Sequence, residues 1–219
     1  MEVAKFLKKV EVEDFYKGQI VHAHAIPARR ARFGEIAPPL PPKLGRLLKE
    51  TGVERLYTHQ AEAVKNLREG ADTVIVTSTA SGKTLCYNIP VLASLLEDPD
   101  ARALYLYPTK ALAQDQLRVL QRYMGPKGIA FRAGTYDGDT PASTRRTLRE
   151  EARILLTNPD MLHSGILPNH AKWAGFLSRL RYVVVDEIHT YRGVFGSHVA
   201  SVMRRLERVA AHYGSAPVY

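Results

Sequence analysis

The sequence has little cysteine and no long apolar run. Cys86 is the one cysteine among 219 residues, which excludes an internal disulfide and a cysteine-based zinc cage. No run approaches the roughly 18 apolar residues of a membrane span, and the N-terminus carries no signal-peptide core. We therefore expect a cytoplasmic protein without a membrane partner, and we expect Cys86 to pack as a small apolar residue.

Acidic residues are also in short supply. The chain has 22 Asp and Glu against 31 Lys and Arg, which gives a net charge of +9. A basic excess favours polyanionic partners such as nucleic acid. A surface with a basic bias and no such partner stays equally open at this point.

Two regions differ in pattern. Residues 1–41 form an N-terminal extension that contains a possible short strand at 18–26 and ends in a Pro/Arg-rich linker. Residues 42–219 form one domain in which apolar strands alternate with helices. Strands are predicted at 72–77, 101–108, 129–135, 153–157 and 181–187, and helices at 42–52, 58–70, 83–96, 110–123, 140–152 and 196–212. Thr58 and Thr140 are the predicted N-caps of two of these helices.

This alternation predicts an α/β fold with a mostly parallel sheet and helices on both faces. Ligands of such sheets bind at the carboxyl ends of the strands. The loops that follow the strands are therefore the candidate sites.

The loop after the first predicted strand resembles a phosphate-binding loop, but its first glycine is missing. The usual pattern is G-x-x-x-x-G-K-[ST], and Thr77 stands where that glycine belongs. Thr77 suits the end of a strand, where no left-handed conformation is needed. The candidate nucleotide-binding residues of this loop are Thr77, Ser78, Thr79, Ala80, Ser81, Gly82, Lys83 and Thr84.

The physics of such a loop requires small side chains, because backbone N–H groups must surround phosphate oxygens. Lys83 would place its ammonium on the β- and γ-phosphates of ATP, and the Thr84 hydroxyl would ligate Mg²⁺. A small-residue turn that ends in a solvated lysine is the alternative.

A second strand, "RYVVV", ends in two acids. Asp186 would hold Mg²⁺ and Glu187 would orient or deprotonate the attacking water. Together the two motifs predict ATP binding and hydrolysis.

The motifs, in this order, resemble those of superfamily 2 helicases. "LYTHQ" at 56–60 is similar to the Q motif and "PTKALAQDQ" at 108–116 to motif Ia. "TNPDML" at 157–162 is similar to the motif after the fourth strand, and Asp186-Glu187-Ile188-His189 resembles the DExH box. "LYTHQAEAV", "TASGKTLCYNIPVL" and "DEIHTYRGVFGSHVA" resemble the MrfA type, which is RecQ-related and associated with DNA repair.

The resemblance implies the first RecA-like motor domain of an ATP-dependent 3′-to-5′ DNA helicase. It implies that Gln60 reads the adenine, that Tyr57 packs near the base, and that His189 couples the ATP site to nucleic acid. These residues join Lys83 and the acidic pair at the predicted site.

The resemblance also implies non-sequence-specific contacts to single-stranded or partly duplex DNA. The candidates lie in three loops at one edge of the sheet: Pro108, Thr109, Lys110, Gly134, Thr135, Thr157 and Asn158. Arg145 and Arg146 are predicted to be solvated surface residues. Tyr191 and Phe195, just past the acidic box, are predicted to pack rather than stack on a base.

The family's motif III, second RecA-like domain and arginine fingers are not found in these 219 residues. We therefore expect a piece of a longer helicase that binds ATP weakly and hydrolyses it poorly by itself. An RNA-directed helicase, a nucleic-acid-binding module with a silent ATP site and a P-loop kinase are the alternatives. The Q motif and motif Ia argue against the kinase.

Overall fold

The computed structural model describes residues 2–27, 30–77, 81–125 and 127–219. They form two compact units, Met1–Ala31 and Arg32–Tyr219. The first unit contains helix α1, Val3–Glu11, none of whose residues is buried. The strand predicted at 18–26 is wrong, because these residues have no regular structure and find no strand partner among the described residues.

The second unit contains a four-stranded and a two-stranded sheet among the described residues. Strands β1 (Phe33–Gly34) and β2 (Leu56–Tyr57) pair antiparallel. The larger sheet contains β3 (Arg102–Leu106), β4 (Ala133–Thr135), β5 (Ile154–Thr157) and β6 (Leu180–Val185). Its strand order is β4-β5-β3-β6 and all its pairs are parallel, as predicted.

The described helices of the second unit are α2 (Pro42–Glu50), α3 (Thr58–Arg68), α4 (Lys83–Glu97), α5 (Lys110–Gln121), α6 (Ala142–Glu151), α7 (Pro159–Met161), α8 (Ala174–Leu177) and α9 (Gly193–His212). Six of them, α2 to α6 and α9, agree with the predicted positions to within a few residues, and the short helices α7 and α8 were not predicted. A π-helical turn, Leu162–Ile166, and a 3-10 segment, Leu167–Trp173, connect α7 to α8.

Helices cover both faces of the larger sheet. Successive strand residues point to opposite faces, so Tyr105 packs with α2 to α5 while Leu104 and Leu106 pack with α6, α8 and α9. All five residues of β3 are buried, as a central parallel strand requires. None of the described helices is long and apolar enough to cross a membrane.

The first predicted strand, 72–77, is wrong. Val74 and Val76 are 74% and 88% exposed, and the segment has no regular structure. A strand needs a neighbour to satisfy its backbone groups. Among the described residues, Thr73 is the one residue of this segment with a backbone–backbone bond, since its N–H donates to the Tyr219 carbonyl, while Val218 is the residue bridged to β6. Within the described residues, the backbone of 74–76 finds no ladder to join.

Two predicted helix caps are also wrong. Tyr57, not Thr58, is the N-cap of α3, because the Gln60 side chain accepts a hydrogen bond from the Tyr57 N–H. Pro141, not Thr140, is the N-cap of α6. The Thr140 hydroxyl instead accepts from the Asp137 N–H and closes the preceding turn.

Candidate functional site

The phosphate loop ends where α4 begins. Gly82 is the N-cap of α4 and has a left-handed φ of 75°, which a residue with a side chain adopts only with strain. A Cβ there would also lie 2.5 Å from the Gln60 amide nitrogen. The left-handed conformation therefore favours glycine at this position, and a Cβ would also displace the Gln60 amide. The first free N–H groups of α4 follow it.

The Lys83 and Thr77 side chains tie the two ends of the loop together. The Lys83 ammonium donates to the Thr77 carbonyl at 2.9 Å, and the Thr77 hydroxyl lies 2.6 Å from the Ser81 hydroxyl. Thr77 therefore acts in loop closure. Ser78, Thr79 and Ala80, which are also predicted to bind nucleotide, lie outside the described residues.

Gln60 joins the Q motif to the phosphate loop. Its side chain is buried, accepts from the Tyr57 N–H at 2.9 Å and donates to the Gly82 carbonyl at 3.0 Å. His59 adds a contact of 3.1 Å to the Ser81 carbonyl. These bonds use one hydrogen of the Gln60 amide nitrogen and one lone pair of its oxygen, and each atom has a second position for a further hydrogen bond. Adenine reading by Gln60 stays a prediction.

An open cleft of about 370 Å³ lies beside this junction. Its walls include Gln60, Gly82 and an aromatic stack in which the Phe33 and Tyr57 ring centroids are 5.5 Å apart. The Arg55 guanidinium lies 4.2 Å from the Phe33 centroid. An aromatic wall with an adjacent amide is a surface on which a purine can stack.

Phe33 is a residue that the sequence reasoning missed. It lies within the stretch that was predicted to be an extension and linker, and it reaches the cleft because β1 pairs with β2. Phe33 and Tyr57 are register partners in that pair. The signal was weak, because one aromatic residue among prolines and arginines does not reveal a two-residue strand.

The acidic pair lies at the end of β6, as predicted. The Asp186 N–H donates to the Leu106 carbonyl, which holds the residue beside the end of β3. Glu187 has a left-handed φ of 51°, a conformation that costs a non-glycine residue about 1–3 kcal/mol and that clusters at functional sites. Its carboxylate lies 3.2 Å from the His189 Nδ1.

Tyr87 connects the two motifs. Its hydroxyl donates to Asp186 Oδ2 at 2.9 Å, and the Thr84 side chain is a polar neighbour of the same hydroxyl. Burial, together with the charge of Asp186, raises the pKa of Tyr87 well above its ordinary value, so the hydroxyl keeps its proton at neutral pH. The structure therefore brings the two predicted metal ligands, Thr84 and Asp186, to one tyrosine hydroxyl.

The available donor set fits Mg²⁺. Mg²⁺ takes oxygen ligands and is usually held by one or two carboxylates, substrate phosphates and water. Thr84 and Asp186 supply a hydroxyl and a carboxylate. The described residues contain no group of three or more His, Cys, Asp or Glu that could hold a metal.

Cys86 follows the phosphate loop and is fully buried. Burial raises the pKa of its thiol to about 11. The prediction of a packed apolar residue is confirmed, and burial keeps the thiol in its protonated form at neutral pH.

The motif Ia candidates lie at the start of α5. Thr109 is the N-cap, and its hydroxyl accepts from the Leu112 N–H. Lys110 is exposed and forms an ion pair with Asp139, which raises the pKa of the lysine. Pro108 lies beside them, half-buried. The free N–H groups and hydroxyl of this helix start suit a phosphate oxygen, but the contact stays a prediction.

The remaining nucleic-acid candidates differ in accessibility. Asn158 is half-buried and caps α7 by accepting from the Met161 N–H, and Thr135 accepts from Gln114. Thr157 is only 3% exposed, and its hydroxyl donates to the Tyr136 carbonyl. Gly134 is buried, and a Cβ there would meet Leu148 at 2.5 Å. Burial argues against direct phosphate contacts by Thr157 and Gly134, and both contacts stay predictions.

Arg145 is not the solvated surface residue that was predicted. Its guanidinium donates to the carbonyls of Thr140, Asp137 and Gly138, so it holds the loop between β4 and α6. Arg146 is exposed as predicted.

Tyr191 and Phe195 pack against each other, but Phe195 is 40% exposed, so packing rather than base stacking stays a prediction. Their ring centroids are 5.5 Å apart, and a Cβ at Gly196 would clash with the Tyr191 backbone. Burial raises the pKa of Tyr191 to about 12.

Comparison with known proteins agrees with this geometry. The chain is 50% identical over 200 residues to the uncharacterized ATP-dependent helicase YprA of Bacillus subtilis. This match covers 91% of the chain and 27% of YprA. The chain is also 44% identical over 209 residues to the ATP-dependent helicase HRQ1 of Saccharomyces cerevisiae, covering 94% and 19% respectively. The chain thus spans about a quarter or less of the length of these relatives.

A crystal structure of the helicase MrfA bound to DNA and AMPPNP superposes with a TM-score of 0.87 at 45% identity. The match covers 98% of this chain and 30% of that one. The fold is therefore that of a RecA-like helicase domain. Residues 57–217 match the DEAD/DEAH box helicase model, and the chain belongs to the DEAD/DEAH box helicase family.

Proposed function

We propose that the chain is the ATP-binding motor domain of an ATP-dependent 3′-to-5′ DNA helicase that works in DNA repair. One observation carries the proposal: the phosphate loop and the acidic box meet at one buried hydroxyl, Tyr87. A strand–helix turn without a nucleotide role has no need of that convergence. The proposal places the ATPase in the cytoplasm.

The site residues divide the work of phosphoryl transfer. In this proposal the first turn of α4 and the Lys83 ammonium bind the phosphates, and the Lys83 bond to Thr77 exchanges for a phosphate oxygen. Thr84 and Asp186 hold Mg²⁺, which when bound offsets the negative charge on the β- and γ-phosphate oxygens. Glu187 orients the attacking water and accepts its proton.

The base occupies the cleft beside Gln60. Stacking on the Phe33–Tyr57 wall fixes the ring plane, and the spare hydrogen-bonding positions of Gln60 read the adenine edge. Because Gln60 also bonds to the Gly82 carbonyl, an occupied base pocket and the phosphate loop are mechanically joined.

DNA is the proposed polyanion, as single strands or partly duplex DNA. The similar helicase MrfA is known bound to DNA, which supports this choice. The net charge of +9 favours either nucleic acid. Contacts by Thr109, Lys110 and Asn158 to phosphates do not distinguish the sugar, so an RNA-directed motor is the second candidate.

A second RecA-like domain is the proposed partner within the whole protein. Arginine fingers accelerate phosphoryl transfer by about 10³–10⁵. The 219 residues by themselves are therefore proposed to bind ATP weakly and to turn it over slowly.

Hydrolysis of ATP by the whole protein, with and without DNA, tests the proposal. We expect stimulation by single-stranded DNA and its loss in Lys83→Ala and Glu187→Gln, while Lys49→Ala, an exposed lysine on α2, behaves as wild type. Equal stimulation by RNA of matched sequence would favour the second candidate. If Glu187→Gln still hydrolyses ATP at the wild-type rate, Glu187 does not orient or deprotonate the attacking water.

A further inference from the structure

Tyr87 lies one turn beyond the phosphate loop in α4. Residues three and four apart share one face of a helix, so Tyr87 lies on the same face as Thr84 and Lys83. The side chain is 8% exposed and its ring packs edge-on against Tyr105, with centroids 5.4 Å apart. The ring is therefore fixed, and the hydroxyl has a defined position.

The hydroxyl position matters because of what it does to Asp186. Oδ2 of Asp186 accepts from Tyr87 at 2.9 Å, and Oδ1 accepts from the Glu187 N–H at 2.8 Å. One protein donor on each oxygen fixes the plane of the carboxylate. A carboxylate has about four acceptor positions, so the other positions stay available to a metal or its water.

The same hydroxyl contacts the end of β3. Tyr107, the residue before Pro108, has its hydroxyl 3.5 Å from that of Tyr87, which is the limit of a hydrogen bond. This contact gives Tyr87 a third polar neighbour, in the strand that leads into α5.

We propose that Tyr87 is a positioning residue for the metal site, which holds the Asp186 carboxylate in the orientation that binds Mg²⁺ with nucleotide. The proposal rests on the proposed function, because it takes Asp186 as the metal-holding carboxylate. Partners that orient a ligating group typically matter about 10- to 100-fold in metal affinity.

Tyr105 provides a matched control. It is a fully buried tyrosine on β3, and its hydroxyl donates to the Asn88 side chain at 2.9 Å rather than to the acidic box. Tyr105→Phe and Tyr87→Phe each delete one buried hydroxyl from the same aromatic cluster. A general packing effect would therefore change nucleotide binding to the same extent in both variants.

The experiment measures ADP binding to the 219-residue chain by calorimetry, in EDTA and across a magnesium titration. In Tyr87→Phe we expect the magnesium concentration for half-maximal tightening of ADP binding to rise about 10-fold, with affinity in EDTA unchanged. Tyr105→Phe is expected to match wild type in both the magnesium midpoint and the ADP affinity in EDTA. An unchanged magnesium midpoint in Tyr87→Phe, or an equal shift in Tyr105→Phe, would overturn the proposal.

A second variant covers the case in which Tyr87→Phe folds poorly. Tyr87→Met also removes the hydroxyl but keeps an apolar side chain that adapts to irregular space. Both variants must shift the magnesium midpoint by a similar factor, and a shift in only one contradicts the account.

The wild-type titration separates this inference from the function on which it rests. If magnesium does not tighten ADP binding to the wild-type chain, the proposed metal site itself fails. If magnesium tightens binding in wild type and equally in Tyr87→Phe, the metal site stands and only the role of Tyr87 fails.

Discussion

Glu187 holds a left-handed backbone conformation at the residue proposed to handle the attacking water. This conformation costs a residue with a side chain about 1–3 kcal/mol. Glycine avoids that cost but loses more chain entropy on folding, which offsets part of the gain. The conformation turns the chain from β6 into the 3-10 turn Ile188–Thr190. The acidic box therefore carries backbone strain at its central residue.

This strain predicts that glycine stabilises position 187 more than alanine does, the reverse of the usual order within a helix. We expect the unfolding free energy of Glu187→Gly to exceed that of Glu187→Ala by about 1 kcal/mol. Urea denaturation of both variants measures the difference. At Arg208, an exposed residue within α9, the same pair of substitutions should favour alanine by about 1 kcal/mol. A preference for alanine at both positions would show that Glu187 is unstrained.

The Cys86 thiol predicts a loss of stability at alkaline pH. Its pKa is raised from 9.0 to about 11 in the folded chain, so between these values the unfolded chain has released a proton that the folded chain retains. Stability then falls as pH rises, by roughly 1.4 kcal/mol for each unit of pKa difference. Urea unfolding at pH 8 and pH 10.5 measures the fall, which should be smaller in Cys86→Ala. An equal fall in wild type and Cys86→Ala would show that the thiol does not cause the loss of stability.

Residue chemistry was partly visible in the sequence. Asp186 and Glu187 were found because two acids after an apolar strand are conspicuous. Phe33 and Tyr87 were missed because their roles depend on contacts between segments far apart in the chain, Phe33 with Tyr57 and Tyr87 with Asp186. No local pattern marks a residue whose partner lies on another element.

At the scale of elements, the loop between β4 and α6 depends on one side chain. Arg145 donates three hydrogen bonds to loop carbonyls and lies over the Tyr136 ring at 5.5 Å. Its neighbour Arg146 forms only an exposed ion pair with Glu150. Of these two adjacent arginines, Arg145 therefore fixes the loop, whereas Arg146 contacts a side chain of its own helix.

The two arginines predict different losses of stability. Arg145→Ala should lower the unfolding free energy by about 1–3 kcal/mol, since three carbonyls lose a charged donor. Arg146→Ala should lower it by less than about 0.5 kcal/mol, because exposed ion pairs contribute little. Thermal and urea unfolding measure both. Equal effects would contradict the bracing role of Arg145.

The segment 72–77 also shows how an element depends on its neighbours. Its β-branched sequence favours a strand, yet within the described residues only Thr73 finds a backbone partner beyond the segment, at Tyr219. We expect the amides of 74–76 to exchange with solvent far faster than those of Leu104 and Leu106 in the buried strand β3. Hydrogen-exchange mass spectrometry measures this, and strong protection of 74–76 would contradict it.

For the whole molecule, the sequence predicted the layered architecture but not its details. Apolar runs separated by helical periods are specific to a parallel sheet, and β3, β5 and β6 lie where such runs occur. The pairing of β1 with β2 was not predictable, because two-residue strands carry no periodicity. The two helix caps were misread because Gln60 and Thr140 bond to backbone groups that the sequence alone does not identify.

The central claim is that the phosphate loop and the acidic box form one ATP site. Binding of a fluorescent ATP analogue to the wild-type chain, Lys83→Ala and Asp186→Asn, in magnesium and in EDTA, tests it most directly. Loss of a charged donor to phosphate should weaken binding about 10- to 100-fold in Lys83→Ala. Asp186→Asn should weaken binding in magnesium but not in EDTA, because Asp186 is the proposed carboxylate for the metal. Undiminished binding in Lys83→Ala, or an unchanged effect of magnesium in Asp186→Asn, would contradict the account.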